Sequence, residues 1–558
     1  MSEAVDIPVL IVGGGPVGLA LALELGRRGV RSTLVERDPG TGTELLAKAD
    51  LLNERSMEFC RLLGLAEEVT NVGFPDDVSR DTVYCTSLNG YFIGRYSMPS
   101  TRDRPLPAEC CEMHRRCPQF AFDPMLARAV VRQGMTEIRY STVLEEFQQD
   151  EARVTCVLRS VDGGARDELK VQYLAGCDGL ASGVRKMLGI DFSGLQLGYS
   201  VSVVVRVDDL ARYHPFGMGE RYMFISPEGT WANLTSIDGR SLYRFSSVGS
   251  EEKLDPTRLD MPAMLRRAFG RDDIPYELMR VLPWRRSQYT AERFNKGRVF
   301  LAGDAAHTMS PTGGHGLNTG LGDVTDLGWI LQALVQGWGG PALSEAYTDE
   351  RRPVAIRNGS SSTKNYAIWV ERQGREKVLE PGSEADEQRK VLGEKMTASL
   401  KQEFHTLGIA MGYNYASSPL IIEDNSPAPA DDISVYIQTA RPGHRAPHIW
   451  LKEGCSTIDL FGRGFVLLRF GSDAPNANVL EELARRVGMP LECVTIMDPA
   501  AARLYERRLV LVRPDGMVAW RADSLPQDVS DLVNRVRGAS STMRASDHLS
   551  SSTAGKPS

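Results

Sequence analysis

The chain has no C-x-x-C pair and no Cys/His spacing suited to a metal. Its nine cysteines are scattered, apart from the adjacent Cys110 and Cys111. A dithiol redox centre and a structural zinc site are thereby excluded, and reduced, buried thiols are expected. Basic charge is also short: 65 Lys and Arg face 72 Asp and Glu, a formal net charge of −7. That leaves no electrostatic footprint for nucleic acid or an anionic membrane surface. Long apolar runs are missing too. The most apolar helical stretch, residues 327–338, is broken by Gln332 and is too short to span a bilayer. Residues 1–7 carry acids and no basic leader region, so a soluble, cytoplasmic protein is expected.

What is present is a large globular chain of 558 residues, 42% hydrophobic and 25% charged, with room for two to four domains. Residues 8–38 read as strand, tight glycine turn, helix and second strand. Gly13, Gly15 and Gly18 give the G-x-G-x-x-G spacing: a turn of positive φ, a side-chain-free approach for a pyrophosphate, and close helix-on-strand packing. The helix N-terminus offers N–H groups and a positive dipole end to phosphate. Glu36, at the end of the second strand, is placed to accept hydrogen bonds from a ribose diol.

Further along, Lys48-Ala49-Asp50 precedes a helical run at 55–63, where Asp50 on its own reads as a solvated loop acid or an N-terminal helix charge. Strands and turns are expected in 82–96, and a helix from Pro124 to Gln133 after Pro118-Gln119. Strands follow at 137–140, 154–159 and 170–175, the last entering Cys177-Asp178-Gly179 and a helix that opens near Arg185. Residues 198–280 alternate with period two, which predicts an antiparallel sheet inserted into the α/β domain. Phe224, Trp231 and Tyr243 are candidates to line a pocket for a flat ligand or to be plain core, and Trp284 follows where the chain returns to the first domain. Residues 297–307 form a buried-type strand ending in Gly303-Asp304. The run Pro311-Thr312-Gly313-Gly314-His315-Gly316-Leu317-Asn318 then opens a long helix, a second anion-binding turn. His307 and His315 lack carboxylate or Cys partners at ligand spacing, so no metal is expected. Polar helices reach residue 406, residues 417–432 read as a linker, and the C-terminal part predicts a small α/β domain with strands at 465–470 and 491–496, helices at 478–486 and 529–536, and a hairpin at 508–522. The Ser/Thr-rich residues 540–558 are expected to be disordered.

Taken in chain order, the glycine fingerprint, the block from Cys177 to Arg185, and Gly303-Asp304 with its Pro-x-Gly-Gly-x-Gly-Leu-Asn continuation resemble the class A flavoprotein aromatic hydroxylases. The runs Arg441-Pro442-Gly443-x-Arg445-x-Pro447-His448-x-Trp450-Leu451 and Leu460-Phe461-Gly462-Arg463-Gly464-Phe465 extend the likeness to the phenol hydroxylase and 2-hydroxybiphenyl 3-monooxygenase branch. The resemblance implies an α/β fold with three parts. A discontinuous Rossmann-type FAD-binding domain would span residues 1–80, 106–195 and 285–415. An inserted antiparallel substrate-binding sheet would span 81–105 and 196–284, and a thioredoxin-like domain 433–539. In that last domain the position of redox cysteines reads Phe470-Gly471-Ser472-Asp473-Ala474-Pro475, so a redox-inert, structural or dimer-supporting role is expected, a homodimer being the assembly it would serve.

The same resemblance implies non-covalent FAD, with NADPH or NADH binding transiently because no second glycine fingerprint exists. The partners would be a small aromatic substrate and O2, with neither nucleic acid nor membrane. It places Glu36 on the adenosine ribose, Arg37 near the adenosine end, Gln119 by the flavin or ribityl chain, and Asp304 on ribityl or pyrophosphate hydroxyls. Pro311 would flank flavin C4a, and the N–H groups of Leu317 and Asn318, following Gly314, would face N1 and O2. Asp178 and Arg185 would serve the motif shared by FAD and the nicotinamide. Lys48 stands where many relatives carry Arg, and its ammonium cannot make bidentate guanidinium contacts. The implied reaction is hydroxylation of a phenolic or polycyclic aromatic through a flavin C4a-hydroperoxide, with Asp50, aligned with the acid of the phenol hydroxylase Ala-Asp motif, activating the phenol. Rival readings are a flavin halogenase, for which the Trp-x-Trp-x-x-Pro segment is absent, an epoxidase, and a non-catalytic FAD-fold binding protein.

Overall fold

The computed structural model describes residues 5–41, 48–164, 166–255 and 258–539. The tail expected to be disordered, 540–558, lies outside them. The chain forms two compact units, one of residues 1–325, 351–413 and 431–437, the other of residues 326–350, 414–430 and 438–558.

The first unit holds two eight-stranded sheets and a two-stranded one that pairs Leu51–Leu52 with Arg115–Arg116. In one, the strand Ile7–Val12 pairs in parallel with Arg166–Gly176 on one side and Ser32–Val35 on the other. A central parallel strand is covered on both faces and so must be apolar throughout, and Val9, Leu10 and Ile11 have no exposed surface. Val299–Leu301 and Thr136–Arg139 extend the parallel order outward. The hairpin Thr142–Gln149 and Val154–Ser160 adds antiparallel strands to Arg166–Gly176. The helix after Pro118 begins at Gln119, five residues before the expected start at Pro124. Pro124 lies inside Gln119–Gln133, where it removes one N–H without ending the helix.

The second sheet runs in the order His307–Thr308, Glu277–Ala291, Phe192–Arg206, Leu242–Ser247, Gly229–Ser236, Arg221–Ser226, Thr82–Cys85, Phe92–Tyr96. Its pairings are antiparallel except that Arg221–Ser226 runs parallel to Thr82–Cys85. The sheet reaches further than 196–284. Trp284 does not lead back to the first domain but sits inside the strand Glu277–Ala291, opposite Ser200. Because successive residues face opposite sides, the sheet has two distinct coats. Val203, Phe224, Leu234 and Phe245 pack with Leu265 and Phe269 of the helix Met261–Phe269. Met223 and Ile225 face the other way, with Tyr366 and Trp369 of Ala342–Val370 and Leu392 and Met396 of Ser383–Phe404.

The second unit carries a four-stranded sheet in the order Leu491–Ile496, Phe465–Phe470, Leu509–Val512, Val518–Ala522. Its first pair is parallel and the other two are antiparallel. Residues 326–350 join this unit because Arg513, with no exposed side chain, ion-pairs with Glu350 and Asp515 at 2.5 Å, and Trp329 donates to Asp515 at 3.1 Å. Residues 417–432 are not a free linker. They lack regular secondary structure, but Leu420 and Ile421 are buried and the Ile422 N–H bonds Ala519 at 2.9 Å. None of the nine cysteines is in a disulfide.

Candidate functional site

At the end of Ile7–Val12 the backbone turns at Gly13 with φ +110°, where a Cβ would lie 2.4 Å from the Cys177 carbonyl oxygen. A Cβ on Gly18 would lie 2.0 Å from the Gly13 carbonyl oxygen, so Gly18 is what lets the helix Pro16–Arg27 sit against the strand end. Gly15 differs: nothing lies within 4 Å of its would-be Cβ. As the N-cap of that helix it has no side-chain cap, so the first N–H groups point into open space of the kind a pyrophosphate fills. Glu36 receives the Gly14 N–H at 2.5 Å and the Asp38 N–H at 3.0 Å, which fixes its carboxylate over the turn. These groups line one cleft of about 520 Å³, together with Arg37, Lys48, Gln119, Asp123 and Asp178. The residues present therefore fit a dinucleotide.

The second turn has the same logic. Asp304 follows Val299–Leu301, and its side chain is exposed but set among protein groups. Loss of hydration raises its carboxyl against the lowering effect of His307 and Lys48. Gly313 and Gly314 take φ +91° and +69° before the 21-residue helix His315–Val335. The Leu317 N–H falls in its first turn, where donors have no intrahelical acceptor, and the Asn318 N–H follows it, four residues after Gly314. The Asn318 side chain is committed elsewhere: it donates to Leu51 and Gly314 carbonyls and accepts from Asn53 N–H and Ser56. Pro311 is exposed at the head of this loop.

Asp178 and Arg185 are brought together as a brace. Asp178 accepts from Ser182 at 2.5 Å and from the Val184 N–H at 3.1 Å. Arg185 donates to the carbonyls of Ala305 and Leu180 and lies 3.8 Å from the Phe192 ring centre. Together they tie the loop after Arg166–Gly176 to the Gly303–Ala305 turn.

The aromatic residues nominated for a substrate pocket divide by face. Phe224 and Tyr243 are 0% and 1% exposed in the core beneath Met261–Phe269, and Trp231 packs on the same cluster with Arg267 4.0 Å over its ring. These three are core. Period-two reading finds an alternating strand but not which parity meets the ligand. Trp284 is on the other parity, half-buried, with Nε1 bonded to Ser202 at 2.9 Å.

That other face carries Arg244, next to Tyr243 in sequence, and with it Asp50. Arg244 donates to the Lys48 carbonyl at 2.7 Å and lies 3.6 Å from the Asp50 carboxylate. Arg116 donates directly to Asp50 and pairs with Glu220 at 2.5 Å, and Glu220 also holds Arg80. Arg221 pairs with Glu403 at 2.6 Å. Burial by itself raises Asp50, but Arg116, Arg244 and Arg221 outweigh it and hold the carboxyl below its ordinary value. Sequence reading missed the arginines, which come from four separated segments.

Two further acids escaped notice. Asp323, with no exposed side chain, accepts from His307 at 2.7 Å, the Gly303 N–H at 3.0 Å and Arg351 at 2.8 Å, which gives His307 a structural post. Asp123 lines the dinucleotide cleft, where burial pushes it up to about 7. His315 is pushed down to about 4 by burial and is neutral, and Tyr222 is core.

Residues 6–361 match the FAD binding domain family and residues 439–540 the C-terminal domain of aromatic-ring hydroxylases. Tetracenomycin B2 monooxygenase-dioxygenase of Streptomyces olivaceus is 31% identical over 96% of this chain and 98% of that protein. A 2,4-dichlorophenol 6-monooxygenase of Cupriavidus pinatubonensis is 29% identical over 96% of this chain and 97% of its own length. The solved structure of the rebeccamycin biosynthetic enzyme RebC with reduced flavin superposes with TM-score 0.87 at 35% identity, over 96% of this chain and all of that one.

Proposed function

The chain belongs to the FAD-dependent aromatic-ring hydroxylases, and from that premise we propose that Asp50 is the group that activates the substrate's phenolic hydroxyl. The enzyme is an FAD-dependent, NAD(P)H-driven monooxygenase of a phenolic or polycyclic aromatic. The observation that carries the assignment is the position of Asp50, ionised and oriented by Arg116 beside Arg244 on the face of the second sheet opposite Met261–Phe269. A carboxylate held below its ordinary pKa is a poor proton store for a phenol near about 10. It acts by accepting the hydroxyl hydrogen bond, which pushes electron density into the ring.

Bound FAD supplies hydride acceptance from NAD(P)H and activation of O2, the second co-substrate. The protein's part is binding, orientation and water exclusion. The Gly15 turn holds the pyrophosphate, Glu36 the adenosine ribose and Arg37 the adenosine end. Gln119 and Asp304 take ribityl hydroxyls, and Lys48 borders the same cleft. The N–H groups of Leu317 and Asn318 meet the ring at the helix N-terminus, where the dipole favours negative charge. Pro311 flanks the reacting edge, Trp284 bounds the substrate, and Asp178 with Arg185 keeps both turns in register. In the C-terminal unit, the parallel first pair with two antiparallel additions supports a thioredoxin-like reading, and the lack of cysteines in 470–475 supports a redox-inert one. No described helix is long and apolar enough to cross a membrane, which supports a place in the cytosol.

The test is Asp50→Asn, which keeps the shape and drops the charge. FAD binding is expected to persist while substrate-dependent hydroxylation slows at least about tenfold, worth about 1.4 kcal/mol, and the ratio of product to NAD(P)H consumed falls as the difference is recovered as hydrogen peroxide. Wild-type coupling in that variant would reduce Asp50 to a partner of Arg116.

A further inference from the structure

Arg286 stands out among the arginines of the first unit. It is 3% exposed, on the strand Glu277–Ala291, and its Nη1 donates to the Ser310 hydroxyl at 2.8 Å. The guanidinium carbon lies 4.8 Å from the Trp284 ring centre and 4.3 Å from that of Tyr366. Its Nε is buried without a hydrogen-bond partner. Arg116 and Arg221 each pair with a carboxylate, but among the described residues no carboxylate lies within ion-pair distance of Arg286. Burial lowers its pKa to about 10, so at neutral pH it remains a cation. A buried charge without a counter-ion is costly, so its retention calls for an anion delivered from outside the chain.

Ser310 ties Arg286 to the loop before the long helix. Its hydroxyl bonds Thr312 at 2.7 Å, and Thr312 donates to the Ser362 carbonyl at 2.6 Å, so Arg286 anchors the segment around Pro311 that leads into the helix His315–Val335. We propose that Arg286 is an electrostatic positioning residue for bound FAD, the cation that stabilises negative charge on the ring at the Pro311 loop and so raises the cofactor's reduction potential. This rests on the reading that the Pro311 loop flanks the ring. Hydride transfer from NAD(P)H delivers two electrons and a proton, oxidising the donor to NAD(P)+ and leaving the flavin with one more negative charge when N1 stays unprotonated. Arg286 and the helix N-terminus both favour that charge.

The experiment measures the midpoint potential of the FAD-loaded full chain against a reference dye, for wild type, Arg286→Met, Arg286→Gln, Arg286→Lys and Ser310→Ala. The Met and Gln variants are expected to weaken reduced relative to oxidised FAD at least tenfold, a fall of about 30 mV for a two-electron couple. Lys, which keeps the charge, should stay near wild type at pH 7, as should Ser310→Ala, which loses only the hydrogen bond. Where a neutral variant holds FAD too weakly to poise, the ratio of Kd for oxidised and reduced FAD reads the same quantity. If neither neutral variant folds, Arg286→Lys decides. A buried ammonium loses its proton more easily than a guanidinium, and the groups facing it are Tyr366, Glu403 and Arg244. Its potential should therefore fall away from wild type between pH 7 and 10, and a constant difference overturns the proposal. Bound FAD with a wild-type potential in a neutral variant overturns it too, as does a Ser310→Ala shift equal to that of Arg286→Met. A wild-type chain that takes up no FAD would instead overturn the cofactor reading beneath it.

Discussion

Gly15→Ala and Gly13→Ala separate what the first turn does for the fold from what it does for the cofactor. Gly15 has φ −74°, a conformation open to any residue, and its Cβ would meet nothing within 4 Å. The ligand-free chain should therefore keep its stability within about 0.5 kcal/mol. With FAD present the added methyl occupies the space the pyrophosphate needs, and overpacking of this kind costs about 1–3 kcal/mol, or about 5- to 150-fold in Kd. At FAD equal to 100 times the wild-type Kd, binding stabilises the wild type by about 2.7 kcal/mol. A variant with Kd raised about 100-fold would gain only about 0.4 kcal/mol at the same concentration. Gly13→Ala behaves differently, because φ +110° and a Cβ 2.4 Å from the Cys177 carbonyl oxygen strain the strand end itself. That costs on the order of 1–3 kcal/mol before any ligand is added. Thermal unfolding with and without FAD, with a flavin-fluorescence titration, reads all of this. A Gly15→Ala chain that gains as much from FAD as wild type, or that is as unstable without FAD as Gly13→Ala, would refute the reasoning.

Asp323→Asn keeps the size but leaves Arg351 and His307 facing a neutral amide in a site with no exposure. A loss of about 3–5 kcal/mol in denaturant unfolding is expected, with FAD released because the Gly303–Asp304 turn loses its anchor; wild-type stability would contradict it. Asp123 gives a pH signature: it rises from 3.8 to about 7 on folding, so its cost is absent below about pH 4, grows between pH 4 and 7 and is complete above. Solvent reaching the cleft limits that cost to about 1–2 kcal/mol in all. Asp123→Asn should make the ligand-free chain more stable by that amount at pH 8, with the gain vanishing toward pH 4, and a pH-independent difference would contradict it.

The parts of this protein set by local chemistry could be read from the chain. The turn at Gly13, Gly15 and Gly18, the acid at Glu36, and Gly303-Asp304 with its glycine run are contiguous, and the structure builds two strand-to-helix turns from them. The strands Ser32–Val35, Leu242–Ser247, Phe465–Phe470 and Leu491–Ile496 were legible because apolar runs were framed by breakers. Parity was not: Tyr243 and Arg244 are neighbours, and only the helix Met261–Phe269, which the sequence reading did not identify, decides that Tyr243 is core and Arg244 faces Asp50. The charge network was hidden for a related reason. Arg80, Arg116, Arg221 and Arg244 are ordinary surface residues by composition, and only strand pairing gathers them around Asp50 and Glu220.

The most direct test of the account is oxygen-isotope transfer. The FAD-loaded chain is reduced anaerobically by NAD(P)H with an aromatic substrate present, then opened to 18O2, and the product is weighed by mass spectrometry. NAD(P)H is expected to bleach the flavin band, oxygen to restore it, and one 18O atom to enter the hydroxylated ring for each NAD(P)H used productively. A hydroxylated product whose new oxygen comes from water would contradict it, as would a flavin that NAD(P)H never reduces.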